Sequence, residues 1–172
     1  MKRSLLDVNV LIALLDSDHV DHGTARTWIE REIQHGWASC AITQNGFVRI
    51  VSQPRYPNPV PSSYALDQLT RATQTEHHEF WPCSISITDR SLIDGSLLHG
   101  PRQVTDAYLL ALATAHDGRF VTFDRSIPLD TARCRAPSRF LESGGPVTDT
   151  REMAASPCGN RRFQPSRVAV TS

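Results

Sequence analysis

The sequence predicts one α/β domain in which helices cover a short, mainly parallel sheet. Short apolar strand candidates recur along the chain, and two of them end at an aspartate. A third aspartate, Asp106, opens a segment whose residues 107–113 are apolar or small for two helical turns. A helix without a polar stripe belongs inside a domain, packed between other layers. Strands that stop where helices start, around a buried helix, indicate the α/β class.

Length and composition limit the class of protein. The 172 residues suffice for one domain with a substantial core and are too few for two of ordinary size. Hydrophobic residues make up 40% of the chain and charged residues 21%, as in soluble globular proteins. The formal net charge is +0, so any contact with nucleic acid has to come from a local basic patch.

Cysteine usage and hydropathy predict a cytoplasmic protein. The four cysteines form no CxxC pair and have no close His partner: Cys40, Cys83, Cys134 and Cys158. This is neither a zinc pattern nor a disulfide framework, so we expect reduced thiols. Asp7 and Asn9 interrupt the first apolar run, unlike a signal peptide. No stretch approaches the roughly 18 apolar residues of a membrane span, so we expect no membrane contact.

Strand and helix candidates alternate in the first half of the chain. Residues 4–6 form a strand candidate that ends at Asp7, and residues 8–15 a helix candidate. Further candidates are an amphipathic helix at 24–34, a strand at 37–42, and a helix at 43–51 that Thr43 would cap. Gly46 inside that helix costs about 1 kcal/mol relative to Ala. We therefore expect another element to approach closely at Gly46.

The second half continues the pattern and then loses it. The candidates are an amphipathic helix at 62–73, an edge strand at 76–81, a helical turn or two at 91–98, the buried helix with Thr105 as its N-cap, a strand at 119–124 and a last edge strand at 129–135. From Glu142 onward no apolar period is sustained. We therefore predict a domain at residues 1–141 and a flexible C-terminal tail at residues 142–172.

Three aspartates have both a structural and a functional interpretation. Asp7 could cap the first helix, or act as a catalytic acid at the end of a parallel strand. Asp106 could be an ordinary first-turn acid, and Asp124 an ordinary turn residue. Strand ends and helix starts meet along one edge of a parallel sheet, which favours a shared site for all three.

Carboxylates gathered at one edge repel one another unless a cation neutralises them. Oxygen-rich sites of this kind suit Mg²⁺ or Mn²⁺. Such an ion activates water and stabilises a phosphoryl group under attack, so the implied chemistry is hydrolysis of a phosphodiester. The sequence contains no Gly-rich phosphate loop, Ser-His-Asp order or HExxH spacing that would support another chemistry.

Four segments resemble, in order, the motifs of the PIN-domain family: residues 5–12, 43–50, 102–110 and 120–124. The resemblance is closest to the VapC-type toxins of bacterial toxin–antitoxin pairs and covers about residues 3–140. It implies an α/β/α sandwich and an endoribonuclease that requires Mg²⁺, with Mn²⁺ as a substitute. It also implies an RNA substrate, a homodimer and inhibition by a cognate VapB-type antitoxin. By the same resemblance Asp7, Asp106 and Asp124 are the catalytic, metal-binding acids.

Two accessory positions follow from the second motif. Arg49 matches a basic residue one helical turn beyond it. Gln44 stands where the family usually has an acid, and offers a neutral carbonyl oxygen without a negative charge. One metal would still be held, more weakly, and a second is less expected. Glu30 or Glu32, on the preceding helix, are the candidates to replace the missing carboxylate.

Two other functions compete with the nuclease. A phosphatase would use Asp7 as a covalent nucleophile, but that chemistry commonly wants a second acid two residues later, where this chain has Asn9. A catalytically weakened PIN fold would mainly bind RNA or an antitoxin, and Gln44 supports it. Under that alternative, binding survives replacement of Asp7 or Asp106 and no metal-dependent cleavage occurs.

Overall fold

The computed structural model describes residues 2–125 and 138–140. Within them the strands are β1 (Ser4–Leu6), β2 (Trp37–Ser39), β3 (His78–Phe80), β4 (Arg119–Thr122) and β5 (Ser138–Phe140). The α-helices are α1 (Val8–Leu15), α2 (His22–Glu32), α3 (Ala41–Val51), α4 (Ser62–Thr73) and α5 (Gln103–Ala115). Short 3₁₀ turns lie at Ile33–His35 and Gly95–Leu97, the latter within the segment 91–98 where we predicted a helical turn or two.

All five strands run parallel, in the order β3-β2-β1-β4-β5. The central strand β1 pairs Leu5 with Ala38 of β2 on one side and with Phe120 of β4 on the other. The predicted α/β fold with a short, mainly parallel sheet is confirmed. The predicted edge strand at residues 129–135 lies outside the described residues, and the fifth strand is the one at Ser138–Phe140.

Consecutive strand residues contribute to two separate cores, one on each face of the sheet. Leu5 and Phe120 join the core beneath α5, whereas Leu6 and Val121 join the core beneath α1–α4. Neighbouring residues of a strand point to opposite faces, so a strand covered on both faces contributes apolar side chains to both cores. Residues 107–113 of α5 are all buried, which confirms the predicted internal helix.

Two predicted helix caps are wrong. Helix α3 begins with Cys40 as its N-cap, and the Thr43 hydroxyl accepts a hydrogen bond from the Cys40 backbone N–H at 3.0 Å from inside the first turn. Helix α5 begins at Gln103, two residues before Thr105. In a capping box the residue at the third helical position satisfies the cap's own N–H. Thr43 is therefore the third residue of the helix and not its N-cap. Helix α2 also begins earlier than predicted, at His22.

None of the helices in the described part of the chain is long and apolar enough to cross a membrane. Cys40 and Cys83 are free thiols, the first buried and the second exposed. Cys134 and Cys158 lie outside the described residues, as does the whole predicted tail at 142–172.

Gly46 lies where α3 crosses the start of α1. A Cβ atom built on Gly46 would lie 2.6 Å from Cγ2 of Val8, closer than real Cβ atoms approach. The expected close approach at Gly46 is confirmed. Because Val8 directly follows Asp7, the same contact fixes the helix turn that carries the first of the three acids.

We expect Gly46→Ala to destabilise the protein by up to about 2 kcal/mol. Overpacking costs about 1–3 kcal/mol, and the better helix propensity of Ala returns about 1 kcal/mol. Urea unfolding measures the difference, with Gly23→Ala in α2 as the matched control. A Cβ at Gly23 meets nothing within 4 Å, so that variant should equal or exceed the wild type in stability. A Gly46→Ala protein as stable as Gly23→Ala would contradict the contact.

Candidate metal and catalytic site

Two of the predicted acids lie at the carboxyl ends of paired strands. Leu6 of β1 pairs with Val121 of β4, and the backbone N–H of Asp7 donates to the Val121 carbonyl at 2.9 Å. Asp124 lies two residues beyond the end of β4. The parallel pairing of β1 and β4 therefore brings Asp7 and the turn of Asp124 to one edge of the sheet.

Asp7 is buried and fully engaged by hydrogen bonds. Its Oδ1 accepts from the Val8 backbone N–H at 2.6 Å, which caps α1. Its Oδ2 accepts from Asn9 Nδ2 at 2.8 Å and from the Thr122 hydroxyl at 2.6 Å. Burial raises the pKa of Asp7, and the charge of Asp124 adds to the effect, against these hydrogen bonds. Asp7 thus caps the helix and also lies in the cluster of acids.

Asn9 and Thr122 form a network around Asp7 that the sequence did not reveal. The Thr122 hydroxyl accepts hydrogen bonds from Asn9 Nδ2 and from the Asp124 backbone N–H, both at 3.0 Å. Asn9 Oδ1 accepts from the Phe123 N–H at 3.2 Å. One hydroxyl therefore links the side chain of Asp7 to the backbone of Asp124. The signals in the sequence were an Asn two residues after one acid and a Thr two residues before another.

We expect Thr122→Val to destabilise the protein by about 1–3 kcal/mol, because it removes the acceptor of the Asp124 N–H and one of the three donors to the buried Asp7 carboxylate. The loss of a hydrogen bond to the carboxylate should also raise the pKa of Asp7 further. Chemical unfolding measures the first effect and NMR titration of the carboxyl the second. Thr114→Val is the control, since the Thr114 hydroxyl bonds the Leu110 carbonyl of its own helix. Equal costs for both variants would contradict the role of Thr122.

Asp106 lies in the first turn of α5 and is half-buried. Burial raises the pKa of Asp106 to about 6, and the negative charges of Asp7 and Asp124 contribute to the shift. The three acids therefore interact electrostatically, as carboxylates that share a site do. The assignment of Asp7, Asp106 and Asp124 as the catalytic, metal-binding acids stays a prediction.

The donor set fits a hard divalent cation. Among the described residues, neither Asp7 nor Asp106 forms an ion pair with a Lys or Arg. No side-chain cation of that part of the chain therefore offsets the repulsion between the two carboxylates. The carboxylates are not drawn together around one point, and the described residues contain no group of three His, Cys, Asp or Glu side chains close enough to enclose an ion. Mg²⁺ keeps several waters and binds through one or two carboxylates, which suits such an open arrangement.

Gln44 is held by a neighbour at the end of β2. Its Nε2 donates to the Ser39 hydroxyl at 2.9 Å, and that hydroxyl lies 2.8 Å from Nε2 of His78. Burial lowers the pKa of His78 and so favours the neutral ring. The amide of Gln44 is thereby oriented by Ser39. Its role as a metal ligand in place of the missing acid stays a prediction.

The prediction that Glu30 or Glu32 replaces the missing acid is wrong. Glu32 forms a buried ion pair with Arg119, with 2.7 Å between Oε2 and the guanidinium Nη2. Arg119 pairs with Ser4 at the start of both strands, at the opposite edge of the sheet from the acids. Glu30 forms an exposed ion pair with Arg26 on the surface of α2. Helix α2 therefore ends over the amino edge of the sheet.

Comparison with known proteins identifies related chains. The family model described as "PIN domain" matches residues 4–129. Ribonuclease VapC44 of Mycobacterium tuberculosis strain H37Rv is 69% identical over 127 residues, which are 74% of this chain and 89% of that protein. Ribonuclease VapC39 of the same strain is 39% identical over 125 residues, 72% and 90% of the two chains.

A solved structure shares the fold. VapBC2 from Rickettsia felis, crystallised with a DNA fragment from its promoter, contains a chain that superposes with a TM-score of 0.51 at 15% identity. The superposition covers 73% of this chain and 92% of that one. At this identity the likeness supports the α/β/α sandwich.

Proposed function

This chain belongs to the PIN-domain family, in its VapC-type branch, and from that premise we propose that it is an endoribonuclease toxin that cuts RNA at a Mg²⁺ site built from Asp7, Asp106 and Asp124. The observation that carries the proposal is electrostatic: burial and mutual repulsion raise the pKa of Asp7 and of Asp106. Such shifts cluster at functional sites. Mn²⁺, which prefers similar oxygen ligands, would substitute.

The bound cation would supply the positive charge that activates a water molecule and stabilises the phosphate under attack. The protein's own residues fix the ligands. Thr122 and Asn9 orient the Asp7 carboxylate and hold the turn of Asp124 against it. Asp106, half-exposed at the start of α5, and Asp124, exposed after β4, are both more open to solvent than the buried Asp7. Ligands that are already oriented do not have to be rearranged during the reaction, which lowers its barrier.

We further propose a VapB-type antitoxin as protein partner, a homodimeric toxin and a cytoplasmic RNA substrate. The VapC name of the relatives supports the antitoxin, since the chain spans 89% of one that is 69% identical. The net charge of +0 means that RNA has to be bound locally, near the acids.

The test is cleavage of total cellular RNA by the purified, antitoxin-free protein over a titration of Mg²⁺ or Mn²⁺, with a chelator arm. Asp124→Asn should lose the cleavage. Asp117→Asn should keep it, because Asp117 is an exposed acid paired with Lys2 away from the site. No cleavage by folded wild-type protein that still binds RNA would support the binding-only alternative, and Gln44→Glu would then be the first reversion to try.

A further inference from the structure

A groove lies between α1, α3 and α5, lined by the chain neighbours of two of the three acids. Its volume is about 410 Å³, and six residues that define it are Val8, Ile42, Asn45, Arg49, Ile50 and Thr105. Val8 directly follows Asp7, and Thr105 directly precedes Asp106. Two residues that line the groove are therefore the immediate chain neighbours of Asp7 and Asp106.

The groove combines apolar walls with unused polar groups. Val8, Ile42 and Ile50 supply the apolar surface. In the described part of the chain no hydrogen bond engages the side chain of Asn45 or of Thr105, although both line the groove. Ligand sites commonly have this character and a volume of about 300–1,000 Å³. The groove thus offers contacts to a flat, partly polar ligand.

Arg49 gives the groove its charge. It is exposed in the last turn of α3, and within residues 2–125 and 138–140 it forms no ion pair. By contrast, Arg3, Arg26 and Arg119 are each paired with a glutamate. A guanidinium binds phosphate through paired hydrogen bonds and also stacks on bases. Arg49 is therefore a cation positioned for a phosphate next to an otherwise acidic site.

We propose that the groove binds an unpaired nucleotide of the RNA, next to the bond that is cut, with Arg49 on its phosphate. Asn45 and Thr105 contact the base edge or ribose, and the apolar walls pack on the base. Single-stranded RNA is recognised in this way, by stacking together with hydrogen bonds to base edges. The proposal rests on the proposed function and adds where and how the strand is held.

The experiment measures binding of a short, fluorescein-labelled single-stranded RNA of random sequence by anisotropy, in an Asp106→Asn background that prevents cleavage. Arg49→Ala is compared with Arg71→Ala. Both arginines are exposed and lie in the last turn of their helices, α3 and α4. Each variant therefore removes one exposed positive charge from the end of a helix. We expect Arg49→Ala to weaken binding roughly tenfold and to reduce the slope of log K against log salt by about 0.7, the value for one phosphate contact on a single strand. Arg71→Ala should leave both unchanged.

Equal effects of the two variants would overturn the proposal. So would an Ile42→Asp variant that changes the oligomeric mass in sedimentation while RNA affinity stays constant, because the groove would then be a contact between two copies of the chain.

Cleavage of the same RNA by the protein with Asp106 intact separates the two proposals. If it cuts with Mg²⁺ while Arg49→Ala binds normally, the groove alone is wrong. If it binds through Arg49 and does not cut, the nuclease is wrong.

Discussion

Replacing Asp106 by Asn is expected to reduce RNA cleavage by at least about a hundredfold while making the metal-free protein more stable at pH 8. The first effect follows because the variant removes one of the carboxylates proposed to hold the catalytic ion, and such an ion contributes several kcal/mol of charge stabilisation in the transition state. The second follows because the variant removes one of three mutually repelling carboxylates. Cleavage assays and thermal unfolding of the same two proteins measure both effects.

Asp106 makes the folded protein less stable as the pH rises. Its pKa rises from 3.8 in the unfolded chain to about 6 in the folded protein. The folded state therefore binds a proton more tightly, and the resulting stability is present below pH 4 and lost as pH rises through 6. Because Asp106 is half-exposed, solvent screening reduces the loss to about 1 kcal/mol.

At pH 4 the wild type and Asp106→Asn should then unfold at similar temperatures, and at pH 8 the variant should unfold higher. Addition of Mg²⁺ should raise the unfolding temperature of the wild type, since a ligand that binds the folded state stabilises it. The variant should respond less. A variant that is less stable at pH 8 than the wild type without metal would contradict the repulsion among the acids.

Glu32→Ala is expected to cost about 3–5 kcal/mol of unfolding free energy, the largest effect on stability that we predict. The side chains of Glu32 and Arg119 are only 11% and 9% exposed, so removal of the carboxylate leaves a buried guanidinium without its counter-charge. Arg119 Nε already lacks a hydrogen-bond acceptor among the described residues, so the remaining cation is poorly compensated. Urea unfolding measures the cost.

Glu30→Ala is the matched control, on the same helix two positions earlier. Its ion pair with Arg26 is of similar length, 2.9 Å, but the side chains are 62% and 67% exposed. Exposed pairs of this kind contribute about 0.3–0.5 kcal/mol. The double variant Glu32→Leu, Arg119→Met should recover most of the stability, since an apolar pair can replace a buried ion pair. A Glu32→Ala cost as small as that of Glu30→Ala would contradict the buried pair.

The sequence sufficed for features that depend on local pattern. Asp7 and Asp124 were placed at one edge because parallel strands end together there, and Gly46 was assigned to a close approach because a helix interior disfavours glycine. These inferences need the type of each element and its direction along the chain. They do not need the relative position of distant side chains.

Features that depend on such positions could not be predicted. The bond from Thr122 to Asp7 joins residues 115 positions apart and requires the register of β4 on β1. The pairing of Glu32 with Arg119 likewise requires that the end of α2 lie over the start of β4. Register is set by the packing of the whole sheet, so neither partner has a signal in the surrounding sequence.

The order in which the site is assembled bears on when the chain can act. Strand β1 is made first, but Asp7 obtains its hydrogen bond from Thr122, 115 positions later, only after β4 has been synthesised and has paired with β1. Contacts between segments so far apart form late, because the loop between them must close first. A partly synthesised chain that ends before β4 therefore carries Asp7 without Thr122 or Asp124. On the proposed function, a ribosome making this protein is exposed to a complete cutting site only once nearly all of the domain has been translated.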